Sequence, residues 1–270
     1  MFIFKLCTRQ NFFIFKGTVE ELVSQDYYDD LIKLECRNED IKYIPRFPRN
    51  ALIIILTDNK DLKYLPPLTE NIVNFYVYNC NLKKLPILND KIKKIYCKNN
   101  SISNLPENLP LSLQELSLEN NKIKSIPDIS KNNHLEKLNI SNNYIEKILY
   151  LPDSLICFEC ADNKINSIQN IPKNLRILDI NNNLFRELPL LHEKLSLIIF
   201  SDNIFSYDLS LILNKHSYKA YNFYITNRKR KSLQIIKDWV ARITYSPYYK
   251  IGRYYINKSY DELFRVDKAC

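Results

Sequence analysis

The stretch from Leu113 to Pro127, LQELSLENNKIKSIP, places apolar residues at its first, fourth, sixth, eleventh and fourteenth positions and an asparagine at the ninth. The same spacing recurs along most of the chain, in copies that begin at residues 31, 52, 72, 92, 113, 135, 155, 175 and 195. The period is thus short and nearly constant from copy to copy. Self-similarity at a fixed short period predicts stacked repeats, because one such unit cannot bury its apolar face alone.

Each position of this template has a physical role. The fourth and sixth residues point into the core from a short strand, since side chains alternate across a strand. The eleventh and fourteenth close the core from the other side. The ninth turns inward, where its amide can satisfy backbone groups that the turn leaves unpaired. Stacked copies predict an internal asparagine ladder made of Asn100, Asn121, Asn143, Asn163, Asn183 and Asn203.

The segment after each predicted strand is rich in proline and varies between copies. Proline follows the fourteenth position at residues 45, 66, 86, 106, 127 and 189. Because proline cannot continue a helix, these segments are expected to be extended or to form single turns. The second copy has one residue too many between Asn59 and Leu62, which leaves its register open. Glu39 and Cys80 replace the ladder asparagine in the first and third copies.

This motif resembles the leucine-rich repeat, and the resemblance covers residues 31 to 209. It implies a mostly β solenoid of the α/β class, right-handed and curved, with a parallel sheet on its concave side. The short Leu-Pro-rich unit is similar to repeats of bacterial effectors injected into host cells. The bias towards Asn, Lys and Ile, with a basic tail, resembles leucine-rich-repeat proteins of giant DNA viruses. The resemblance implies binding of a protein partner without catalysis.

Three regions are expected. Residues 1–7 alternate apolar and polar side chains and predict a strand within a strand-rich cap, 1–30. Residues 31–209 are expected to form about nine repeats, and residues 210–270 a basic, tyrosine-rich segment. No secretory signal and no apolar run of the ~20 residues that cross a bilayer is recognised, so no membrane insertion is expected. Seven cysteines, an odd number, suit a reducing compartment. We expect an intracellular monomer, cytoplasmic or nuclear, acting in a host cell if it is an effector.

The motifs that could carry chemistry are weak. Cys157 and Cys160 form a C-x-x-C, but they occupy outward and inward positions of one strand, and no second pair completes a zinc site. Cys160-Ala-Asp162 resembles the nucleophile motif of effector ubiquitin ligases, yet Cys160 is a core position, and the segment after the array, 210–270, is too short for such a catalytic domain. The three histidines are isolated. We therefore predict no catalytic residue, no metal site and no cofactor.

The third, fifth and seventh positions of each repeat should face solvent on the concave sheet. In the third and fourth copies they bring aromatic and basic residues together, which is typical of binding hot spots. The predicted partner-binding residues are Tyr76, Tyr78, Lys94, Tyr96 and Lys98. The alternative is a solvated sheet face on which tyrosine only suits a strand. Glu115, Glu119, Glu159 and Asp179 make the face acidic in later copies.

The C-terminal segment, 210–270, holds 13 Lys and Arg but 4 Asp and Glu, a net charge of +9 that equals the charge of the whole chain. Residues 232–244 predict an amphipathic helix, with Leu233, Ile236, Val240 and Ile243 on one stripe. Three interpretations stay open: a cap for the last repeat, a nuclear-import signal, or a polyanion site. The polyanion site, which gives nucleic-acid binding as the alternative function, would be Arg228, Lys229, Arg230 and Lys231.

Overall fold

The computed structural model describes residues 2–37, 40–187, 191–192 and 194–205. Within them, eleven strands form one sheet in the order β11-β10-β9-β8-β7-β6-β5-β4-β3-β1-β2. The strands are β1 Phe2–Cys7, β2 Phe12–Gly17, β3 Lys33–Arg37, β4 Ile53–Thr57, β5 Asn74–Tyr78, β6 Lys94–Tyr96, β7 Glu115–Ser117, β8 Lys137–Asn139, β9 Cys157–Glu159, β10 Ile177–Asp179 and β11 Leu197–Ile199. Helical structure in these residues is limited to α1, Val19–Val23, and a 3₁₀ turn at Tyr28–Asp30.

The nine strands from β3 to β11 run parallel and pair in template register. Leu116 of β7, for example, lies beside Leu138 of β8, and both side chains are buried. The fourth and sixth positions are buried from the first repeat through the eighth, and each large apolar side chain there contributes about 1.5–3 kcal/mol. No helix occurs in the described residues after Asp40. The predicted mostly β, parallel solenoid is therefore confirmed.

The N-terminal residues cover the first repeat with a hairpin. β1 and β2 pair antiparallel, and β1 also pairs antiparallel with β3. Phe4 and Leu6 are buried opposite the core positions of β3, so the hairpin closes the apolar end of the stack. Thr18 begins α1 with a capping box, in which its hydroxyl accepts from the Glu21 backbone N–H and its own N–H donates to the Glu21 carboxylate.

The second repeat begins at Ala51, so the predicted start at residue 52 was wrong. Ala51 is buried, whereas Leu52 is 43% exposed. The pairing of β4 with β5 places Asn59 at the ninth position, with the extra residue between it and Leu62. The error arose because residues 51–56 are all apolar, and such a run does not reveal which alternate side chains face the core.

The ninth-position asparagines lie inside the solenoid and join successive repeats. Asn121 Nδ2 donates to the carbonyl oxygens of Cys97 and Leu118, each at 2.9 Å, and Oδ1 accepts from the Ile102 N–H at 3.0 Å. Cys97 and Ile102 belong to the preceding repeat. The same three-way pattern is made by Asn100, Asn143, Asn163, Asn183 and Asn203.

A second row of polar residues, which the sequence analysis missed, occupies the eighth position. Its residues have φ between 48° and 58°, the left-handed region that Asn and Asp tolerate best after glycine. Part of the row is hydrogen-bonded side chain to side chain: Asn120 Nδ2 donates to Asn99 Oδ1 at 2.7 Å, and Asn99 Nδ2 to Asn79 Oδ1 at 2.6 Å. The row consists of Asp58, Asn79, Asn99, Asn120, Asn142, Asp162, Asn182 and Asp202.

The basic C-terminal segment predicted at residues 210–270, including its amphipathic helix, lies outside the described residues, as do the last residues of the ninth repeat. Glu39 of the first repeat also lies outside them. None of the helices in the described residues is long and apolar enough to span a membrane.

Candidate partner-binding face

The side of the parallel sheet that faces away from the core is called here the strand face. It is formed by the third, fifth and seventh residues of each repeat, which the alternation of a strand turns outward. In β5 these are Asn74, Tyr76 and Tyr78, and all three are half-buried. The strand face is therefore a row of partly exposed side chains, about 4.8 Å apart from one repeat to the next, on a rigid hydrogen-bonded support.

The three predicted tyrosines form one cluster at β5 and β6. The rings of Tyr76 and Tyr96 stack with centroids 5.4 Å apart and an interplanar angle of 29°. The Tyr78 ring lies 6.3 Å from that of Tyr76. Burial is the main cause that raises the pKa of Tyr78 to about 12, so its phenol is neutral at physiological pH. Among the described residues, no hydrogen bond occupies the hydroxyls of Tyr76 and Tyr78, which leaves both free to meet a ligand.

The two predicted lysines are paired with carboxylates of the next repeat. Lys94 Nζ lies 3.1 Å from Glu115 Oε1, and Lys98 Nζ lies 2.8 Å from Glu119 Oε1. Each pair joins neighbouring strands, because the two partners are one repeat apart in the sequence. The lysines thus form a charge-compensated rim beside the tyrosines. They do not present a free cationic surface.

Glu115 connects three strands at this rim. Its carboxylate accepts from the Tyr96 hydroxyl, and Lys137 Nζ lies 3.4 Å away, in addition to Lys94. Burial acts to raise the pKa of Glu115, but the hydrogen bonds from Tyr96 and Lys94 and the charges of both lysines outweigh it and lower the pKa. The pKa of Tyr96 is raised, mainly by burial and further by its bond to Glu115. Glu115 is therefore a charged, firmly held edge of the tyrosine cluster.

The other edge of the cluster contains residues that the sequence analysis missed. Ile55 pairs with Tyr76, and Thr57 pairs with Tyr78, so the half-buried Ile53 and Ile55 extend the apolar surface onto β4. Thr57 is 5% exposed, and its hydroxyl has no hydrogen-bond partner in the described residues. The wrong register of the second repeat had assigned these residues to other faces. Counting Asn59 as the ninth residue of the repeat makes Ile53, Ile55 and Thr57 the third, fifth and seventh, and would have identified them.

Beyond β4, the strand face ends in a second compensated group. Glu35 is 5% exposed and accepts from Lys33 Nζ and Arg37 Nε, each at 2.6 Å. Burial acts to raise the pKa of Glu35, but the two cations outweigh it and lower the pKa. The apolar and aromatic residues of β4 to β6 are therefore bordered by ion pairs on both sides.

The sixth and seventh repeats make the strand face polar. Asn139 Nδ2 donates to Glu159 Oε2 at 2.5 Å, and Cys157 Sγ lies 3.7 Å from Glu159 Oε1. A depression of 180 Å³ lies between these residues and Tyr96. The strand face therefore changes from aromatic at β5 and β6 to acidic at β9, in the order that the sequence predicted.

The two cysteines of the C-x-x-C, Cys157 and Cys160, are unactivated thiols. Cys160 is buried at a core position, and burial raises its pKa far above the ordinary range. Burial, together with the nearby Glu159, raises the pKa of Cys157 to about 11. A nucleophilic cysteine needs the opposite shift. In the described residues no group of three or more His, Cys, Asp or Glu side chains could hold a metal ion.

A groove of 880 Å³, which the sequence analysis did not predict, lies among the segments that connect the strands of the second to fifth repeats. Its walls come from the Leu-Pro segments, whose extended backbones stack from repeat to repeat. Ile87 and Leu111 are the most exposed apolar residues there, at 73% and 61%. The residues Arg228, Lys229, Arg230 and Lys231 of the alternative polyanion site lie outside the described residues.

Comparison with known proteins agrees with this architecture. The family description "Leucine Rich repeats (2 copies)" matches residues 111–152. Osteomodulin from Bos taurus is 38% identical over 87 residues, which are 30% of this chain and 21% of osteomodulin. Oligodendrocyte-myelin glycoprotein from Homo sapiens is 32% identical over 88 residues, 30% of this chain and 20% of that protein. The chain thus spans about a fifth of the length of the curated relatives it matches.

Among solved structures, YopM from Yersinia enterocolitica superposes with a TM-score of 0.57 at 29% identity, covering 70% of this chain and 47% of YopM. YopM from Yersinia pestis, described as a leucine-rich effector protein, gives 0.51 at 28% identity over 60% of this chain and 52% of that one. The periodic motif, the parallel sheet, the internal asparagines and these likenesses together show that the chain has the fold of a leucine-rich-repeat solenoid.

Proposed function

We propose that the chain binds a protein partner through the strand face, without catalysis, and that Tyr76, Tyr78 and Tyr96 form the centre of the contact. The observation that carries this proposal is the arrangement of β4 to β6, where stacked aromatic and aliphatic side chains lie between two ion-paired borders. An apolar centre with a polar rim is the usual anatomy of a protein interface. Leucine-rich-repeat proteins commonly mediate protein–protein interactions, which supports the same class of function.

The tyrosines and the lysines have different roles in this proposal. The rings are held by their neighbours before binding, so little side-chain freedom is lost when a partner covers them. The hydroxyls of Tyr76 and Tyr78 offer hydrogen bonds to the partner. Lys94 and Lys98 are already paired and partly exposed, and such rim charges influence specificity and association rate more than affinity.

The test begins with capture of a partner by the tagged chain from its native cell, followed by calorimetric titration with the purified partner. Changing Tyr76, Tyr78 and Tyr96 together to Ala should weaken binding by more than about 2 kcal/mol, about 30-fold. The matched control changes three other exposed tyrosines, Tyr43, Tyr64 and Tyr144, which are 49–59% exposed and lie outside the strand face. The control should bind as the unchanged chain does.

Circular dichroism and urea unfolding of both variants separate lost binding from lost folding. Equal affinity of the strand-face variant and the control would contradict the proposal. Lys94→Ala with Lys98→Ala should alter the association rate and its salt dependence, with less effect on affinity than the tyrosine changes.

A second candidate function is supported by the charge distribution. Residues 210–270 carry a net charge of +9, whereas the preceding residues are neutral overall, and nine of the 19 tyrosines lie in the same segment. Basic residues interleaved with aromatic ones suit a nucleic acid or another polyanion. Changing Arg228, Lys229, Arg230 and Lys231 to Ala should then abolish salt-sensitive retention of labelled nucleic acid and leave the calorimetric titration unchanged.

We propose that the protein acts inside a cell, as the Yersinia effector-type likeness and its thiols suggest. Among the described residues, the cysteines at 7, 80, 97, 157 and 160 are free thiols, which suits a reducing compartment.

A further inference from the structure

The strand β2 forms one edge of the sheet, and among the described residues β1 is its only strand neighbour. Its sequence, FFIFKG, contains four apolar residues and a single charge. Phe12 is 62% exposed and Ile14 is 56% exposed, both on the same side of the sheet as the strand face. This edge is independent of the tyrosine cluster, from which β1, β3 and β4 separate it.

The hairpin turn fixes which backbone groups of β2 point outward. The Thr8 N–H donates to the Asn11 carbonyl, so that pair is hydrogen-bonded. Hydrogen-bonded and non-bonded pairs alternate along an antiparallel ladder. Phe13 and Phe15 therefore bond to β1, whereas Phe12, Ile14 and Lys16 direct their N–H and C=O groups to the open edge. Consistently, the Cys7 carbonyl, opposite Phe12, turns away from β2 and accepts from the Ile32 N–H.

Sheet edges are normally protected against pairing with other chains. Charged side chains, prolines, bulges or very short strands serve this purpose. β2 is six residues long and regularly paired with β1, and it contains no proline. Its one charge, Lys16, lies near the end of the strand, so within the described residues none of these devices protects the central residue Ile14.

In place of the expected monomer, we propose that β2 is a self-association site, at which a second copy of this chain adds its own β2 antiparallel about a two-fold axis. Ile14 would pair with the partner's Ile14, and Phe12 with the partner's Lys16. Only residues whose backbone groups point outward can form hydrogen-bonded pairs. This register uses Phe12, Ile14 and Lys16 of both copies, which gives about six backbone hydrogen bonds. It also keeps the two Lys16 side chains apart, whereas a register centred on Lys16 places like charges side by side.

A second copy fits this edge because the pairing is self-complementary in both backbone and side chains, as a two-fold contact requires. Aromatic residues meet across the junction on the core side, where Phe13 lies opposite the partner's Phe15. The pairing would join two eleven-stranded sheets into one. The two strand faces would then lie on the same side of a continuous sheet, which offers a partner two tyrosine clusters in one assembly.

The contact is one strand wide, so it falls at the small end of protein interfaces and its dimer should depend on concentration. Sedimentation equilibrium of the full chain from about 1 µM to about 300 µM covers the affinities expected of such a contact. The average mass should rise from the 32.2 kDa of one chain towards twice that value. A mass that stays at 32.2 kDa throughout this range would overturn the proposal.

The variant Ile14→Lys places like charges at the two-fold axis while leaving the bonds from β2 to β1 intact. It should abolish the rise in mass. The matched control is Ile87→Lys, an equally drastic change at a position that is 73% exposed and far from β2 in the sequence. The control should associate as the unchanged chain does. If both variants still dimerise, the dimer uses another surface and the proposal is wrong.

A cysteine pair tests the register. Bonded antiparallel partners have Cα atoms about 5.5 Å apart, within the range a disulfide spans. Mild oxidation should crosslink Ile14→Cys into a dimer, because residue 14 of one copy pairs with residue 14 of the other. Lys16→Cys should stay at the background level of the unchanged chain, because the two copies of residue 16 lie on opposite sides of the two-fold axis and do not face each other. Equal crosslinking of both variants would exclude this register. Neither result depends on the partner proposed for the strand face.

Discussion

The asparagine at the ninth position does more than fill a turn. Its amide bonds backbone groups of two repeats at once, in a place where water does not reach. An apolar residue of the same size would leave the Ile102 N–H unpaired, and a buried unpaired group costs about 1–3 kcal/mol. The repeated asparagine is therefore required by hydrogen-bond satisfaction between neighbouring repeats.

Asn121→Ala should lower the free energy of unfolding by about 1–3 kcal/mol, because it leaves the buried Ile102 N–H without its partner. Urea unfolding followed by circular dichroism measures this change. Asn133→Ala is the control, since that asparagine is exposed, and it should alter stability by less than about 0.5 kcal/mol. Similar losses in the two variants would contradict the proposed role of the internal amide.

At the scale of the element, the end of each strand depends on one left-handed residue. The eight residues at the eighth position, all with φ between 48° and 58°, redirect the chain from the strand into the ninth position. The second repeat shows how far the unit tolerates change. In other repeats the N–H of the eleventh residue donates to the asparagine side chain of the next repeat. In the second repeat the extra residue lets the corresponding Leu62 N–H donate to the Asn59 carbonyl, so it needs no asparagine side chain from the third repeat. Cys80, which donates to the Tyr78 carbonyl, is sufficient there.

Asn142 isolates the backbone effect, because its side chain makes no hydrogen bond in the described part of the chain. Asn142→Ala should destabilise the protein by about 1 kcal/mol, since alanine is strained in the left-handed region. Asn142→Gly should be within about 0.5 kcal/mol of the unchanged protein, since glycine adopts that φ freely. Thermal and urea unfolding compare the pair. A loss on changing Asn142 to Gly as large as on changing it to Ala would show that the side chain matters instead.

At the scale of the whole molecule, stability should depend on the carboxylates that cations and hydrogen bonds hold on the strand face. Glu35 and Glu115 have lowered pKa values in the folded chain, so the unfolded chain binds more protons as the pH falls. Their contribution is complete above the unfolded pKa of 4.5 and disappears as the pH falls through the lower folded values. The free energy of unfolding should therefore decrease from about pH 5 to about pH 3.

Urea unfolding at a series of pH values measures this dependence. Glu115→Gln should flatten part of the slope, because it removes one of the carboxyl groups whose pKa is lowered. Glu136→Gln, at an exposed position, is the control and should leave the slope unchanged. A free energy of unfolding that is constant between pH 5 and pH 3 would contradict the role assigned to these carboxylates.

The period of the chain was sufficient to predict a solenoid, its inward residues and the location of its asparagines, because those properties follow from the position of a residue within its own repeat. It also predicted that Tyr76, Tyr78 and Tyr96 share a face. Register failed only at β4, where six consecutive apolar residues hide the alternation. The left-handed turn was missed because Asn and Asp at the eighth position look like ordinary polar residues.

Only the tertiary structure determined which exposed side chains contact one another. Stacking places residues that are one repeat apart in the sequence within one strand spacing, so Lys94 meets Glu115, and Tyr76 meets Tyr96. The antiparallel cap adds a sheet edge that no repeat contains. Side-chain contacts of this kind depend on which residues of different repeats lie side by side in the sheet. Buried positions recur with a fixed period because the core requires apolar residues there. Exposed positions follow no such period, so their contacts are set only when the repeats are stacked.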